Sequence, residues 1–352
     1  MTTNLSKNIK VQVVCLAYNQ VEFIRDALNG FVMQKTNFPF EVLVGDDCST
    51  DGTSEIIAEY ASKYPHIITH IRREQNMGAQ ENSFDLLNRV DADYLALCEG
   101  DDYWTNPNKL QMQVDLLEKN KHLNGCFHNV LIKKIRVKKW YGDIAHKKNF
   151  FGHQFWPKGL LNFYVKKEYS LKDVLSGIIA TSSVMYRWKN FKLPTFFEKV
   201  IYGDRTLHSI ICANGTFGYI NKTMSVYRGI AYHTSYEEMI EENSKKELEM
   251  FQNLDKYFDY RFHKLFLREE AQRFIYILLQ LATKNDKSEL VKFIDENYEI
   301  YHYILTKKEL KRKIYHKIFG ITYLKIKIKS NIKIYYILGF IPVFFTRGDY
   351  DE

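Results

Sequence analysis

"VQVVCLAYN", residues 11–19, decides how the rest of the chain is read. Residues 11–17 are apolar apart from Gln12 and rich in β-branched side chains, the mark of a strand covered on both faces. The next stretch, "QVEFIRDALNGFVMQ" (20–34), changes period. Phe23, Ile24, Ala27, Leu28, Phe31 and Val32 fall at helical spacing. The switch then repeats. "FEVLVGDDCSTDGT" (40–53) is a buried strand running into a turn-rich loop, and "SEIIAEYASKY" (54–64) is helical with Thr53 or Ser54 as its cap. "HIITHIRRE" (66–74) is a third strand, "AQENSFDLLNRV" (79–90) a helix and "DYLALCEG" (93–100) a fourth strand. Strands alternating with helices predict an α/β fold, a doubly wound and mostly parallel sheet covered on both sides.

Such sheets collect ligands at the carboxyl ends of their strands. Three strand ends here read "AYN" (17–19), "GDDCSTDGT" (45–53) and "EGDD" (99–102). The last is the most demanding. Glu99, Asp101 and Asp102 follow the apolar Ala96, Leu97 and Cys98. Like charges so close resist ionisation unless something positive sits between them or they point apart into water. Solvated acidic loops are the plain alternative, but the pattern recurs at three separate strand ends.

The chain has 352 residues, enough for one large domain or one domain with a smaller companion. Its five cysteines, Cys15, Cys48, Cys98, Cys126 and Cys212, form no CxxC pair. Reduced thiols in a cytosolic protein are the expectation, and an odd number argues against a disulfide framework. The N-terminal residues show no apolar leader, and the longest apolar run, 334–345, is about half of what a spanning helix needs. The net charge of +8 is uneven: residues 301–352 hold 11 Lys and Arg against 4 Asp and Glu, so the rest of the chain is nearly neutral.

Beyond the acidic cluster, "NPNKLQMQVDLLEKN" (106–120) reads as a capped amphipathic helix and "KKIRVKKWYGDIAHKK" (133–148) as a basic loop or edge hairpin. Residues 170–188 read as a helix followed by a strand. Residues 202–215 read as a helix stopped by Asn214 and Gly215 as its C-cap, and 217–228 as a strand. Residues 236–313 are mostly helical. The tail, 314–352, interleaves Lys with Ile, Tyr and Phe in "YHKIFGITYLKIKIK" and "IKIYYILGFIPVFF". It reads as an amphipathic element for a membrane surface, or as a closing hairpin of the core.

In order along the chain, "VVCLAYNQVEFIRDAL", "EVLVGDDCSTDGT", "NMGAQENS" and "LALCEGDDYW" resemble a family-2 glycosyltransferase with the GT-A fold, of the bacterial surface-polysaccharide type. "YGDRTLHSIICANGTFGYINKTMSVYR" resembles the second half of such a catalytic domain. The likeness covers about residues 8–235. It implies a catalytic domain over 1–235, with a nucleotide-binding half (8–105) and an acceptor half (106–235), followed by a helical region (236–313) and the basic tail (314–352).

The resemblance also implies a UDP-sugar donor held with Mn2+ or Mg2+, hard cations that take oxygen ligands. The family's Asp-x-Asp metal motif reads Glu99-Gly100-Asp101 here. Asp101 matches the metal ligand. Glu99 replaces the usual aspartate and is a second candidate metal ligand, its longer arm able to contact the ribose or a metal-bound water, while Gly100 lets the backbone come close to the ligand. His233 falls where relatives carry a histidine that completes the metal shell or touches a phosphate; a lone histidine is as readily structural. Ala17, Tyr18 and Asn19 match residues beside the nucleotide base. Asp47 matches the acid that accepts the N3–H of uracil, a proton that cytosine lacks. Asn76 and Gly78 match a loop near the ribose, Asp46 a loop stabiliser, and Ser49, Asp51 and Gly52 turn chemistry. Arg72 and Arg73 read as phosphate contacts or as a solvated pair. Asp102, Trp104 and Arg228 are candidate contacts to acceptor or diphosphate, with Trp104 equally readable as core. Asp204 matches the general base of a single inverting displacement, although Gly203 stands where the family carries a neighbouring acid.

The implied acceptor is a hydroxyl of a glycan or lipid-linked molecule in bacterial polysaccharide, lipopolysaccharide or glycoprotein-glycan synthesis. The implied place of work is the inner face of the cell membrane, reached from the cytoplasm through the basic tail, with no nucleic-acid partner. The competing class is a transferase-like protein that binds a nucleotide sugar or glycan without turnover, which the departures at Glu99 and Gly203 motivate. A nucleotidyltransferase would need a Gly- and Lys-rich phosphate loop after the first strand, and "LAYNQVEFIRD" has neither.

Overall fold

The structure is a computed structural model that describes residues 9–136, 166–176, 179–231, 236–283, 287–306, 327–329, 332–337 and 341–346. The chain divides into two compact units, residues 1–236 and 237–352. The first opens with β1 (Val11–Ala17), α1 (Ile24–Val32), β2 (Phe40–Asp46), α2 (Thr53–Lys63), β3 (Ile68–Arg72), α3 (Ala79–Asn88) and β4 (Tyr94–Leu97). It continues through β5 (Tyr103–Trp104), α4 (Lys109–Lys119), β6 (Leu123–Arg136), β7 (Glu168–Tyr169), α5 (Leu171–Ser176), β8 (Met185–Arg187), α6 (Gly203–Cys212) and β9 (Thr216–Ala231). The sheet order is β3-β2-β1-β4-β8-β6-β9-β5, with β7 also on β9. β1 pairs in parallel with β2 and β4, β2 with β3, and β6 with β9. The short strands β5, β7 and β8 run against their neighbours. This is the expected mixed α/β architecture with a mostly parallel sheet.

The alternation of β1 sets what each face of the sheet does. Val11, Val13, Cys15 and Ala17 belong to the core built with Ile24, Leu28 and Phe31 of α1, Ile57 of α2, and Leu110 and Val114 of α4. A fully buried aliphatic side chain of this kind stabilises by roughly 1.5–3 kcal/mol. Val14 and Leu16 point to the opposite face, where α3 and α6 contribute to the lining of a cavity.

Four local expectations change. Gly52, with φ 100°, rather than Thr53 or Ser54, stands at the start of α2, and the Asp51 carboxylate accepts the Thr53 amide and hydroxyl at 3.0 and 2.6 Å. No side chain caps the start of α4. Helix α6 ends at Cys212 with Ala213 as its C-cap, and Gly215 is not left-handed. A Cβ there would meet the His122 carbonyl at 2.9 Å, so close approach explains the glycine. The first residues of the basic stretch, 133–136, extend β6; the remainder of it lies outside the described residues.

The second unit holds α7 (Tyr236–Tyr257), α8 (His263–Thr283), α9 (Lys287–Glu296) and α10 (Tyr298–Thr306), packed around Leu248, Phe274, Ile277, Leu281, Ile294 and Ile304. Residues 307–313 of the expected helical region lie outside the described residues. In the tail, β10 (Lys327–Lys329), β11 (Ile332–Ile337) and β12 (Ile341–Thr346) form an antiparallel sheet, with Lys327 opposite Ile334 and Lys333 opposite Phe345. Among the described residues no helix is long and apolar enough to cross a membrane.

Candidate active site

The chain leaves β4 at Leu97, turns through residues 98–102, and pairs with β9 as β5. The Gly100 amide donates to the Leu16 carbonyl at 2.9 Å, which lays the turn on the end of β1. A Cβ on Gly100 would stand 2.9 Å from Ile24 Cδ1 and 3.1 Å from that carbonyl, so the approach needs a residue without one. Asp102 is 1% exposed. Its Oδ1 accepts the Arg228 amide at 2.7 Å, and its Oδ2 is buried without a hydrogen-bond partner. Burial, reinforced by Asp101, pushes the Asp102 carboxyl up to about 8, against the opposing pull of that amide. Burial and the neighbouring Asp101, Asp102 and Asp204 push Glu99 well above the usual carboxylate range. Burial raises Asp101 too, opposed by its own amide and by Arg228. The repulsion legible in the sequence is present in the fold, and Arg228 offsets only part of it.

Three expected ligand contacts prove to be internal. Trp104 is 2% exposed: its indole N–H donates to the Ser182 carbonyl at 2.9 Å, its ring meets Phe31 edge-on at 5.0 Å, and the Lys109 ammonium lies 3.9 Å from its centre. It belongs to the core and has no face for a sugar. Arg228 is buried as well. Nη1 donates to the Asp101 carbonyl at 2.8 Å, Nη2 pairs with the Asp26 carboxylate, and the guanidinium lies 4.3 Å from the Tyr103 ring centre. It is a strut between elements rather than a free phosphate ligand. Asp102 is likewise closed off from an acceptor by its burial.

The other strand ends form an interlocked loop pair. Tyr18, 48% exposed, presents its ring beyond β1. Asn19 is left-handed (φ 49°); its amide donates to Ser49 Oγ at 3.0 Å and its Oδ1 accepts the Thr50 amide at 2.9 Å. The Gln20 and Val21 amides donate to Thr53 Oγ1 and Asp51 Oδ2. The Ala17 carbonyl accepts the Asp47 amide at 2.9 Å. Asp47, nearly buried, accepts the Met77 and Gly78 amides at 2.7 and 2.9 Å, and Asn76 Oδ1 accepts the Gly78 amide too. Each oxygen of Asp47 thus already accepts one backbone N–H. Burial would raise the Asp46 carboxyl, but hydrogen bonds from His70, Ser49 and Ser54 hold it well below its ordinary value. Arg73 is engaged with Asp85 and Asn82.

On the face opposite the core lies a cavity of about 650 Å³. Val14, Leu16, Val130 and Ile132 give it aliphatic walls, while Glu99, Thr181, Asp204 and Tyr227 supply polar groups. Asp204 sits in the first turn of α6, where the helix dipole favours an acid. Its Oδ1 accepts the Arg205 amide at 2.7 Å and its Oδ2 the Thr181 hydroxyl at 3.4 Å. Tyr227 is pushed up to about 12 by burial, Asp102, Glu99, Asp101 and Asp204, so both acidic groups reach one neighbour. The structure thus unites Glu99 with Asp204 at this cavity, and the residues around Asp47 and Tyr18 do not line it. His233 lies outside the described residues.

Residues 12–183 match the family model "Glycosyl transferase family 2". They form a family 2 glycosyltransferase domain. An uncharacterized protein of Mycobacterium tuberculosis is 38% identical over 233 residues, 64% of this chain. The chain spans 61% of the length of that relative. The dTDP-rhamnosyl transferase RfbG of Shigella flexneri is 29% identical over 166 residues, 46% of this chain and 56% of the relative. S. aureus TarS 1-349 in complex with UDP superposes with a TM-score of 0.49 at 16% identity, over 96% of this chain and 99% of that one.

The glycosyltransferase domain meets one test for a hard divalent cation and lacks a preformed cage for it. Among the described residues no group of three His, Cys, Asp or Glu side chains is arranged to hold a metal ion. The donor set nevertheless suits Mg2+ or Mn2+: oxygen atoms only, carboxyl groups crowded in a buried turn, and an Asp102 Oδ2 buried without a hydrogen-bond partner. Such ions are commonly held by one or two carboxylates, with water and substrate phosphates completing the shell. The domain also uses residues that sequence patterns do not mark. Thr181 contacts Asp204 from a turn after α5, and Asp26 reaches Arg228 across 202 positions of sequence. Asp26 reads locally as an ordinary first-turn helix acid, so only the tertiary pairing reveals it.

Proposed function

We propose that this protein transfers a sugar from a UDP-sugar to a hydroxyl of a glycan or lipid-linked acceptor in bacterial surface-glycan synthesis, with inversion at the anomeric carbon. The observation that carries the reading is the cavity shared by Glu99, from the acidic strand end, and Asp204, from the start of α6. In this reading the acceptor oxygen attacks the anomeric carbon, its proton passes to the Asp204 carboxylate, and the bond from that carbon to the diphosphate oxygen breaks with its electron pair on the diphosphate. Thr181 and the Arg205 amide orient Asp204 for that proton. Asp101, with Glu99, would hold Mn2+ or Mg2+, which supplies Lewis-acid stabilisation of the leaving diphosphate. Tyr18 provides a stacking surface for the base and Asp47 an acceptor for its N3–H. The basic tail supports an anionic membrane surface as the place of work.

Thymine and uracil share the N3–H that Asp47 would read, and the Shigella relative is named for a dTDP sugar. The test is therefore a panel of UDP- and dTDP-sugars, with release of nucleoside diphosphate followed with and without EDTA. EDTA-sensitive release from a UDP-sugar, reduced roughly 10²–10⁴-fold in Asp204→Asn, is the expected result. Undiminished turnover by that variant would remove Asp204 as the base. UDP binding with no turnover on any sugar or acceptor would support the binding-protein alternative instead.

A further inference from the structure

We propose that Asp26 and Arg228 form a positioning pair that sets the acidic turn, residues 99–102, for a divalent cation and keeps the guanidinium from neutralising it. This rests on the metal-assisted reading given above and adds to it a residue, Asp26, outside the acidic turn.

The argument starts from charge. The turn carries three carboxyl groups, and the guanidinium of Arg228 is packed against it. A guanidinium has five donors in a rigid fork and binds carboxylates two donors at a time. Left alone beside this turn, Arg228 would take the Asp101 or Asp102 carboxylate. It would then cancel the charge and fill the lone pairs that a cation needs. The structure shows a different arrangement. Nη2 is held by the Asp26 carboxylate from the first turn of α1. Nη1 goes to the backbone carbonyl of Asp101 at 2.8 Å, a neutral acceptor. The backbone amide of Arg228, not its side chain, holds Asp102 Oδ1 at 2.7 Å. Tyr103 and Phe23, with ring centres 4.3 and 5.2 Å from the guanidinium carbon, restrict its reorientation. Arg228 therefore holds the turn at two points, the Asp101 carbonyl and the Asp102 carboxyl group, and leaves the Asp101 and Glu99 carboxyl oxygens free of its hydrogen bonds. With Asp26 paired to Arg228, the carboxyl oxygens of Asp101 and Glu99 stay open to a dication.

The pair also ties three remote pieces of chain together: α1, the turn, and β9. Outer partners of this sort, which orient first-contact ligands, typically change metal affinity by 10–100-fold when removed. The Asp26 side chain is 51% exposed, so replacing it does not open the core.

The experiment titrates Mn2+ into the full chain in the presence of UDP and reads free Mn2+ by electron paramagnetic resonance, with melting temperatures recorded in EDTA. Wild type, Asp26→Asn, and Asp26→Asn combined with Arg228→Gln are compared. Asp26→Asn is expected to weaken Mn2+ binding by about 10-fold, as the freed guanidinium turns to the turn's own carboxylates, while the EDTA melting temperature moves by only a few degrees. The double variant is expected to bind Mn2+ more tightly than the single one, because the competing cation is gone. A merely structural pair would show the reverse, a further loss. Unchanged Mn2+ affinity in Asp26→Asn, or a double variant weaker than the single, would overturn the pair alone. Absence of Mn2+ binding by the wild type would overturn the metal-assisted reading together with it.

Discussion

Asp102→Asn tests the physics of the acidic turn without needing a substrate. The carboxyl of Asp102 is 1% exposed and pushed from an ordinary 3.8 up to about 8 by burial and by Asp101. Between those values the folded protein keeps the proton that the unfolded chain has released. The folded state thus binds more protons, and its stability falls as pH rises through that window. At 1.36 kcal/mol per pH unit, reduced by partial titration at the acidic end, raising pH from 5 to 7 removes on the order of 2–3 kcal/mol. Asparagine keeps an oxygen for the Arg228 amide, which lies 2.7 Å from Oδ1, and has no charge to bury. The variant should lose this share of the slope and be the more stable protein at pH 7. The assay is urea unfolding in EDTA, followed by tryptophan fluorescence, at pH 5, 6 and 7. Parallel pH profiles for wild type and variant would refute the reasoning, because they would mean that Asp102 ionises in the fold as it does in water. Mn2+ with UDP should flatten the wild-type profile by stabilising the ionised turn.

Lys109 gives the opposite sign. Buried under Trp104 with its ammonium on Gln113 Oε1 at 2.7 Å, it is lowered by burial to about 7, so the unfolded chain binds the extra proton between about 7 and 10.5. Stability should therefore rise by about 2 kcal/mol from pH 7 to pH 9, and Lys109→Met should abolish that rise; a wild-type profile as flat as that of the variant would count against it. For the tail, replacing Lys325, Lys327, Lys329 and Lys333 with glutamine should weaken flotation with anionic liposomes by roughly 10²–10³-fold at low salt, at about 1 kcal/mol per lysine. Equal flotation of both proteins would remove the membrane surface as a partner.

The sheet was readable because its strands announce themselves locally. The apolar runs of β1, β2 and β4 end in polar residues, and the helices between them repeat at their own period. The acidic turn was readable for the same reason, since three acids after a buried strand demand an account. What escaped depended on pairing far along the chain. Nothing near Trp104 shows that Ser182 and Phe31 will enclose it, and nothing near Arg228 points to Asp26. Thr53 and Ser54 suit a cap by residue type; the left-handed backbone at Gly52 starts α2 ahead of them and places both in its first turn. Gly215 looked like a helix stop, when the pressure on it comes from His122 and Asn124.

The two-sidedness of β1 separates what selection can adjust. Positions 11, 13, 15 and 17 answer to packing with α1, α2 and α4, whereas 14 and 16 answer to whatever fills the cavity. A library randomised at Val14, Leu16, Val130 and Ile132 would explore altered sugar or acceptor preference on an unaltered scaffold. Lineages diverging in substrate would be expected to vary at positions 14 and 16 and hold 11, 13, 15 and 17 still.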